Sequence, residues 1–378
     1  MTRPDQIAVC SVGGNPESSS TWSGTPANLC RELKRLGRLG PTFESGQFAG
    51  ARVQRLVNFA SRRYYGTDID YTRGILHRYL RARRLRGRLR KTGARDVLHT
   101  GSLDLPLPGP DAHTRHYLFC DATWHSWSRY AIGIDQYPAK LLRDAERLEQ
   151  RAYEQMTHVF PISEHVKQDL VEHYKIDPSR ITVVGTGRGA IKPYHGPKDY
   201  SAGKVLFVAK GRFKDKGGDI LLEGFRLASK SRPALELTVV GDEQYKSLIG
   251  TADPNIKVFG YVALEQLQEF FEQASLFAMP AVNEPWGLVY LEALSCKTPV
   301  LGLDRNALPE ITGRGEYGFC LANGTATELA DALIEAYDHP DRLAEMGARG
   351  QAHCLERFDW AATVRRIVDA IDAGYVAS

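Results

Sequence analysis

The sequence predicts an α/β protein built from two doubly wound, Rossmann-like domains, and three observations carry that expectation. Apolar runs of strand length recur along the chain, among them IAVCSV (7–12), KVLFVA (204–209), LELTVVG (235–241) and PVLGL (299–303). Runs with so little polar alternation suit strands buried on both faces of a parallel sheet. Segments of helical spacing separate them, such as LEQLQEFFEQA (264–274), giving a βαβ rhythm. The length, 378 residues, exceeds what one ordinary core organises.

IAVCSV is the first buried strand, and the polar loop GGNPESSSTWS leads from it to a helix. Thr25 is the expected N-cap of that helix, with Pro26 at its first position. Residues 40–70 have no clear pattern. They contain Asp68-Ile69-Asp70, but no apolar strand precedes this acidic triplet, so no metal site is expected there. From Arg73 to Arg95 the chain carries ten Lys or Arg and no acid. Leu76, Tyr79, Leu80, Leu85 and Leu89 recur at roughly helical spacing, which predicts one cationic amphipathic helix or two broken near Gly87. Such a face is either solvated or docked on an anionic surface. No nucleic-acid module or interleaved aromatic set accompanies it.

DVLHTG (96–101) and HYLFCDATWH (116–125) are the next strands. Ligands collect at the carboxyl ends of strands in open α/β sheets, so His99, Thr100, Asp121, Thr123 and His125 become candidates together. A long helix follows Pro138, then the strand HVFPIS and a helix capped by Ser163. The glycines of ITVVGTGRGA (181–190) imitate a dinucleotide fingerprint, but no helical pattern follows them, so the segment reads as an interdomain crossing.

KVLFVA opens the second domain. Arg212 and Lys216 lie in the following loop, and two cations four apart at a strand end suit a diphosphate. Lys214 is the alternative to Lys216. The most informative stretch is NEPWGLVYLEALSCKTPVLG (283–302), which reads as loop, short buried helix and buried strand. Glu284 lies in the loop before the helix, and Glu292 sits inside it, where a charge needs hydrogen-bonding partners. The helix start at Gly287-Leu288 offers N–H groups and a positive dipole end to an anion.

Composition limits the function classes. Apolar content of 43%, charged content of 25% and a net charge of +4 are those of a globular protein. The six cysteines are scattered without a CxxC pair and read as small buried hydrophobes in a reducing compartment. No run approaches the length of a membrane span, so a cytoplasmic protein is expected, at most peripheral at the inner membrane surface.

The two glutamates, with seven residues between them and the Pro-Trp-Gly-Leu continuation, resemble the signature of the retaining nucleotide-sugar glycosyltransferases of glycosyltransferase family 4. The ATWH end of the 116–125 strand, the Arg212/Lys216 pair, the VFGYV loop and the terminal DWAATVRRIVDAI helix are also similar to that family. The resemblance implies the GT-B fold, two Rossmann-like domains facing across a cleft. It implies an N-terminal domain of residues 1–195 completed by the crossing-back helix 358–378, and a C-terminal nucleotide-sugar domain of residues 196–357. By the same resemblance Glu284 and His125 contact the transferred sugar and Glu292 the ribose. Arg212 and Lys216 hold the diphosphate, together with the helix start at Trp286, Gly287 and Leu288. Backbone groups of Gly260, Tyr261 and Val262 meet the base. Gly24, or Gly13 or Gly14, faces the sugar diphosphate, with Asp121 and His99 as further binding candidates.

The implied reaction moves a hexose from a UDP- or GDP-sugar to a hydroxyl of a glycan, lipid-linked or small acceptor, with retention and without cofactor or metal. A donor phosphate oxygen takes the acceptor proton, and no protein nucleophile takes part. Peripheral contact with an anionic membrane is one reading of the basic stretch, and arginines that solvate the helix or meet an anionic soluble acceptor are the other. An epimerase or phosphorylase on the same fold, or a silent nucleotide-sugar-binding scaffold, are the rival readings.

Overall fold

In the computed structural model residues 5–68, 70–109, 113–250 and 253–376 are described, with side chains through residue 374. The chain divides into two compact units. The first comprises the chain to Arg129, Gly133–Gly187 and the C-terminal segment from Trp360; the second comprises Tyr130–Ile132 and Arg188–Asp359.

The first unit is built on a parallel five-stranded sheet of order β2-β1-β3-β4-β5. Its strands are β1 (Ile7–Ser11), β2 (Leu39–Glu44), β3 (Asp96–Thr100), β4 (Arg115–Cys120) and β5 (His158–Pro161). Its helices are α1 (Thr25–Arg35), α2 (Ala51–Tyr65), α3 (Ile75–Thr92), α4 (Trp124–Tyr130), α5 (Ala139–Gln155) and α6 (Glu164–Glu172). Ala8, Val97, Leu118 and Val159 of the sheet pack in one core with Leu85 and Leu89 of α3, Tyr153 of α5 and Leu170 of α6. Strand β2 falls in the segment without a clear pattern. It is a half-buried edge strand containing Pro41, a residue that only an edge tolerates, and its register on β1 shifts between Ile7 and Val9.

Two local expectations are corrected. Gly24, not Thr25, caps α1: it is left-handed (φ 80°), and Trp22 and Ser23 before it are left-handed too (φ 43° and 54°). Helix α3 runs through Gly87 as a single helix, and its charges are not all on the surface. Arg78 is 1% exposed: it donates to Glu149 at 2.7 Å and to the carbonyls of Leu105 and Ser102 at 2.7 and 2.8 Å. Arg81 is also buried and donates to the carbonyl of Thr72 at 3.1 Å. Helix α2 instead exposes Val53, Leu56, Phe59 and Tyr64 to water, with Leu56 69% and Phe59 70% exposed.

The second unit has a parallel six-stranded sheet of order β11-β10-β9-β6-β7-β8. Its strands are β6 (Lys204–Ala209), β7 (Glu236–Gly241), β8 (Ile256–Phe259), β9 (Leu276–Ala278), β10 (Val300–Leu303) and β11 (Gly318–Leu321). Helices α7 (Gly218–Ser231), α8 (Gln244–Ile249), α9 (Leu264–Gln273) and α10 (Leu288–Ser295) are followed by α11 (Leu308–Ile311), α12 (Ala326–Asp338) and α13 (Pro340–Arg357). The last helix, α14 (Trp360–Val376), belongs to the first unit and packs on α1. Arg38, just past α1, grips Asp372 of α14 with both terminal nitrogens at 2.9 and 2.8 Å. Arg366 of α14 donates to the carbonyl of Val184 at 2.8 Å.

Candidate active site

In the second unit, the loop after β6 folds back on itself. The N–H groups of Lys216, Gly217 and Gly218 donate to the carbonyls of Arg212, Lys214 and Phe213 at 3.0, 2.9 and 2.9 Å. Arg212 sits in the left-handed region (φ 55°), a conformation that costs a non-glycine residue energy and that accumulates at functional sites. The carbonyl of Asp215 accepts from Val282 and Asn283 at 2.8 and 3.2 Å, which stitches this loop to the segment between β9 and α10. Gly217 lies so close to the carbonyl of Pro280 that a Cβ would overlap it.

This stitching brings Lys216 and Glu284 into an ion pair, with side chains only 18% and 16% exposed. Arg212 stands at the rim, half exposed, its Nε donating to Asp215 at 2.7 Å. Lys214 is exposed. Burial and the charge of Arg212 push the Lys216 ammonium down to about 8, with Asp215 opposing. The Glu284 carboxylate also favours the charged lysine.

Helix α10 starts from left-handed Gly287 (φ 79°), and Leu288 is its first residue. Trp286 is 4% exposed and packs edge-on against Phe358, 5.8 Å between centroids. Glu292, four residues into the helix, accepts from the N–H of Ala190 at 2.9 Å. Burial raises its carboxyl, while the N–H groups of Ala190 and Ile191 and the charge of Lys210 act against that. After β8, Gly260 sits against the Glu243 carboxylate. Tyr261 is exposed and donates its hydroxyl to the carbonyl of Lys210 at 2.9 Å, and Val262 is half-buried.

In the first unit the loop after β1 reaches across β3 to the end of β4. The indole of Trp22 hydrogen-bonds the Asp121 carboxylate and packs edge-on to Phe119, 6.0 Å between centroids. Burial pushes Asp121 up to about 6, against hydrogen bonds from its own N–H, Trp22 and Ala122 and the charge of Arg73. Arg73 lies over the rings of Trp124 and Trp127, 5.0 and 4.5 Å from their centroids. His125, at the start of α4, has a side chain 39% exposed and lies 2.6 Å from Asp169. His99 is a correction: its side chain is fully buried in β3, bonded to His116 at 3.0 Å and next to Asp104 at 3.4 Å, out of reach of a ligand. Thr100 is also buried, donating to the carbonyl of Cys10 at 3.0 Å.

Asp68 is ion-paired with Arg62 at 2.8 Å and Asp70 with Arg73 at 3.5 Å, while Ile69 lies outside the described residues. Among the described residues no group of three or more His, Cys, Asp or Glu is arranged to hold a metal.

Sequence reasoning missed Gly189, Trp22 and Asp169. A Cβ at Gly189 would strike the Glu292 carboxylate, so the glycine-rich crossing serves as the backbone seat of that glutamate. Nothing local to Gly189 signals this, because Glu292 is 102 positions from the neighbouring Ala190.

Two parallel sheets and a C-terminal helix that returns to α1 define a GT-B architecture. Residues 28–188 match the model of Glycosyltransferase Family 4, and residues 196–353 match that of Glycosyl transferases group 1. The chain belongs to glycosyltransferase family 4. It is 29% identical over 242 residues to the D-inositol 3-phosphate glycosyltransferase of Gordonia bronchialis, covering 57% of this chain and 52% of that protein. It is 30% identical over 169 residues to a GDP-mannose-dependent monoacylated alpha-(1-6)-phosphatidylinositol monomannoside mannosyltransferase of Corynebacterium glutamicum, covering 42% and 44%. The chain thus spans about half the length of the relatives it matches. The fold is that of sucrose-phosphate synthase from Thermosynechococcus elongatus (TM-score 0.72, 16% identity, 99% of this chain and 100% of that one). It is equally that of WaaG, a glycosyltransferase involved in lipopolysaccharide biosynthesis (TM-score 0.69, 16% identity, 96% and 98%).

Proposed function

We propose that the protein is a retaining hexosyltransferase that uses a nucleotide-diphosphate sugar and transfers to a hydroxyl acceptor. The observation that carries this reading is the Lys216–Glu284 ion pair beside Arg212 at the β6 end, with Glu284 in the loop just before α10. Arg212 and Lys216 neutralise the diphosphate as it leaves, aided by the α10 N-terminus. Glu284, held by Lys216, orients the sugar, as does His125. Glu292, steadied by Ala190, takes the ribose, and the loop Gly260–Val262 takes the base. A donor phosphate oxygen accepts the acceptor proton, so the protein needs no nucleophile, and the cationic groups do the work that a divalent ion does in other phosphate chemistry.

The acceptor side is read as a membrane surface, with contact through α2 rather than through α3 as a whole. Helix α2 carries Arg52, Arg55, Arg62 and Arg63 and no acid, around exposed Val53, Leu56 and Phe59. Residues 51–92 hold thirteen Lys or Arg against two Asp, a net +11 in a chain whose total is +4, so the remainder is net −7. That separation of charge, next to exposed apolar groups, suits an anionic bilayer. Among the described residues no helix is long and apolar enough to cross one.

The test is release of nucleoside diphosphate from UDP- and GDP-sugars with a panel of soluble and lipid-linked acceptors, run with and without EDTA. Release with product formation, unaffected by EDTA, is the expected result. Interconversion of free nucleotide sugars would make the protein an epimerase, and binding without turnover a scaffold.

A further inference from the structure

Asp169, in the last turn of α6, has no role in the reading above, yet its carboxylate is clamped between two residues of the β4–α4 segment. One oxygen accepts from His125 Nδ1 at 2.6 Å, and the other accepts from the Thr123 hydroxyl. Its side chain is only 14% exposed. Thr123 is in turn fixed by Ser126, whose N–H donates to the threonine hydroxyl at 3.0 Å. The His125 ring stacks on His173, with centroids 3.7 Å apart and planes within 6°. His173 is itself held by Glu146 at 2.8 Å. The His125 backbone N–H donates to the Tyr174 hydroxyl at 3.0 Å. Asp169 in the last turn of α6, His173 at its C-cap and Tyr174 just past it thus hold the His125 ring and its backbone from one short segment.

We infer that Asp169 is a positioning residue for His125, fixing the imidazole as the Nδ1–H tautomer so that Nε2 presents a lone pair to a hydroxyl of the transferred sugar. A carboxylate offers only acceptors, so the ring nitrogen against it must carry the proton. In the neutral ring the other nitrogen is then an acceptor. An acceptor is what the sugar needs there: a lone pair favours the positive charge that builds as the glycosidic bond breaks, whereas a second N–H would oppose it. His165 also faces Asp169, but burial pushes it down to about 4, with Asp169 opposing, so near neutral pH it brings no charge to compete for the carboxylate. This inference rests on His125 acting at the donor sugar.

The test uses the full chain and two kinds of readout. In ¹⁵N-histidine spectra, with His125→Ala assigning the signal, the wild-type ring should be the Nδ1–H tautomer when neutral. Asp169→Asn, whose amide can donate to Nδ1, should weaken or reverse that preference, and Asp169→Glu should restore it. With the nucleotide sugar giving most product in the donor panel, Asp169→Asn should lower kcat about tenfold or more and leave donor KM within about twofold, as loss of a tautomer-setting carboxylate does elsewhere. Combined with His125→Ala it should cost nothing further, because it acts only through that ring. An Nε2–H tautomer in the wild type, an unchanged tautomer in Asp169→Asn, or additive losses would overturn the inference. Full turnover in His125→Ala would instead overturn the role of His125, and this inference with it, whatever the tautomer proves to be.

Discussion

At the carboxyl ends of its strands the second unit gathers cations, Arg212 and Lys216 after β6, each already paired with a carboxylate. The first unit gathers Trp22 after β1 and Asp121 and His125 after β4, groups that hydrogen-bond and stack but bring no fixed positive charge to the strand ends. Both sheets are parallel and wound alike, so the difference lies in the loops and not in the scaffold. Paired cations are an anion site in waiting: the acids hold the side chains in place, and an incoming diphosphate can engage both cations at once. Hydrogen-bonding groups with aromatic neighbours suit hydroxyl-rich ligands instead. In the first unit Arg73 is the cation that reaches the end of β4, stacked over Trp124 and Trp127, while Arg78 is buried in the core and the α2 arginines lie on an outer helix.

The largest effect should come from the second unit. Lys216→Ala and Arg212→Ala should each lower turnover by roughly 10² or more, the scale of losing one transition-state donor. His125→Ala should cost less, and a reversed order in steady-state kinetics would break the division of labour between the units.

Stability should show the opposite weighting. Arg78→Ala leaves Glu149 buried without its partner. Burial raises that carboxyl, but the charge of Arg78 and hydrogen bonds from Ser102, Tyr153 and Arg78 hold it below the ordinary carboxylate range. The variant should lose about 3–5 kcal/mol in urea titration. Removing the exposed Lys257–Glu236 pair of the second unit, 2.8 Å apart, should cost under about 1 kcal/mol. Equal costs would show that the buried pair carries no special weight.

The Lys216 ammonium, pushed down to about 8 by burial and by Arg212, supplies a pH signature. It is charged below that value and loses its proton above it, so kcat/KM should fall as pH rises through about 8. Lys216→Arg should move that limb to higher pH. A limb that stays put in Lys216→Arg would assign it to another group.

Leu56→Ser with Phe59→Ser should abolish most sedimentation with anionic vesicles while leaving turnover on a soluble acceptor intact. Arg81→Ser, at a buried position, should instead act on stability. Equal sedimentation with neutral vesicles would remove the electrostatic contribution. The smallest effect is expected at Lys214, exposed on the same loop as Lys216, whose change to alanine should leave turnover within a few-fold. A severe loss there would shift the diphosphate contact along the loop.

Much of the fold was legible because buried parallel strands announce themselves within a few residues, as KVLFVA and PVLGL do. Strand β2 was not, since an edge strand with Pro41 and one solvated side lacks that signal. The loop-helix-strand stretch around α10 was legible from its apolar helix and its two glutamates, and Lys216 and Glu284 do lie together. His99 and Trp286 show the limit: each sits where a sequence places ligand contacts, and each is buried.

By itself, then, the sequence determined the strands, their helical crossovers, the acidic pair around α10 and the cations after β6, because local periodicity and spacing encode them. Tertiary structure alone decided which side chains meet. Arg78 and Arg81 went inside while Leu56 and Phe59 stayed out, although α3 carries the longer basic run. His125 kept a solvent-facing ring and His99 lost it, one strand apart in the same sheet. Glu292 found its partner 102 positions away at Ala190, and His125 found Asp169 at a separation of 44. Burial and pairing depend on what the rest of the chain packs against a residue, and no short window of sequence contains that information.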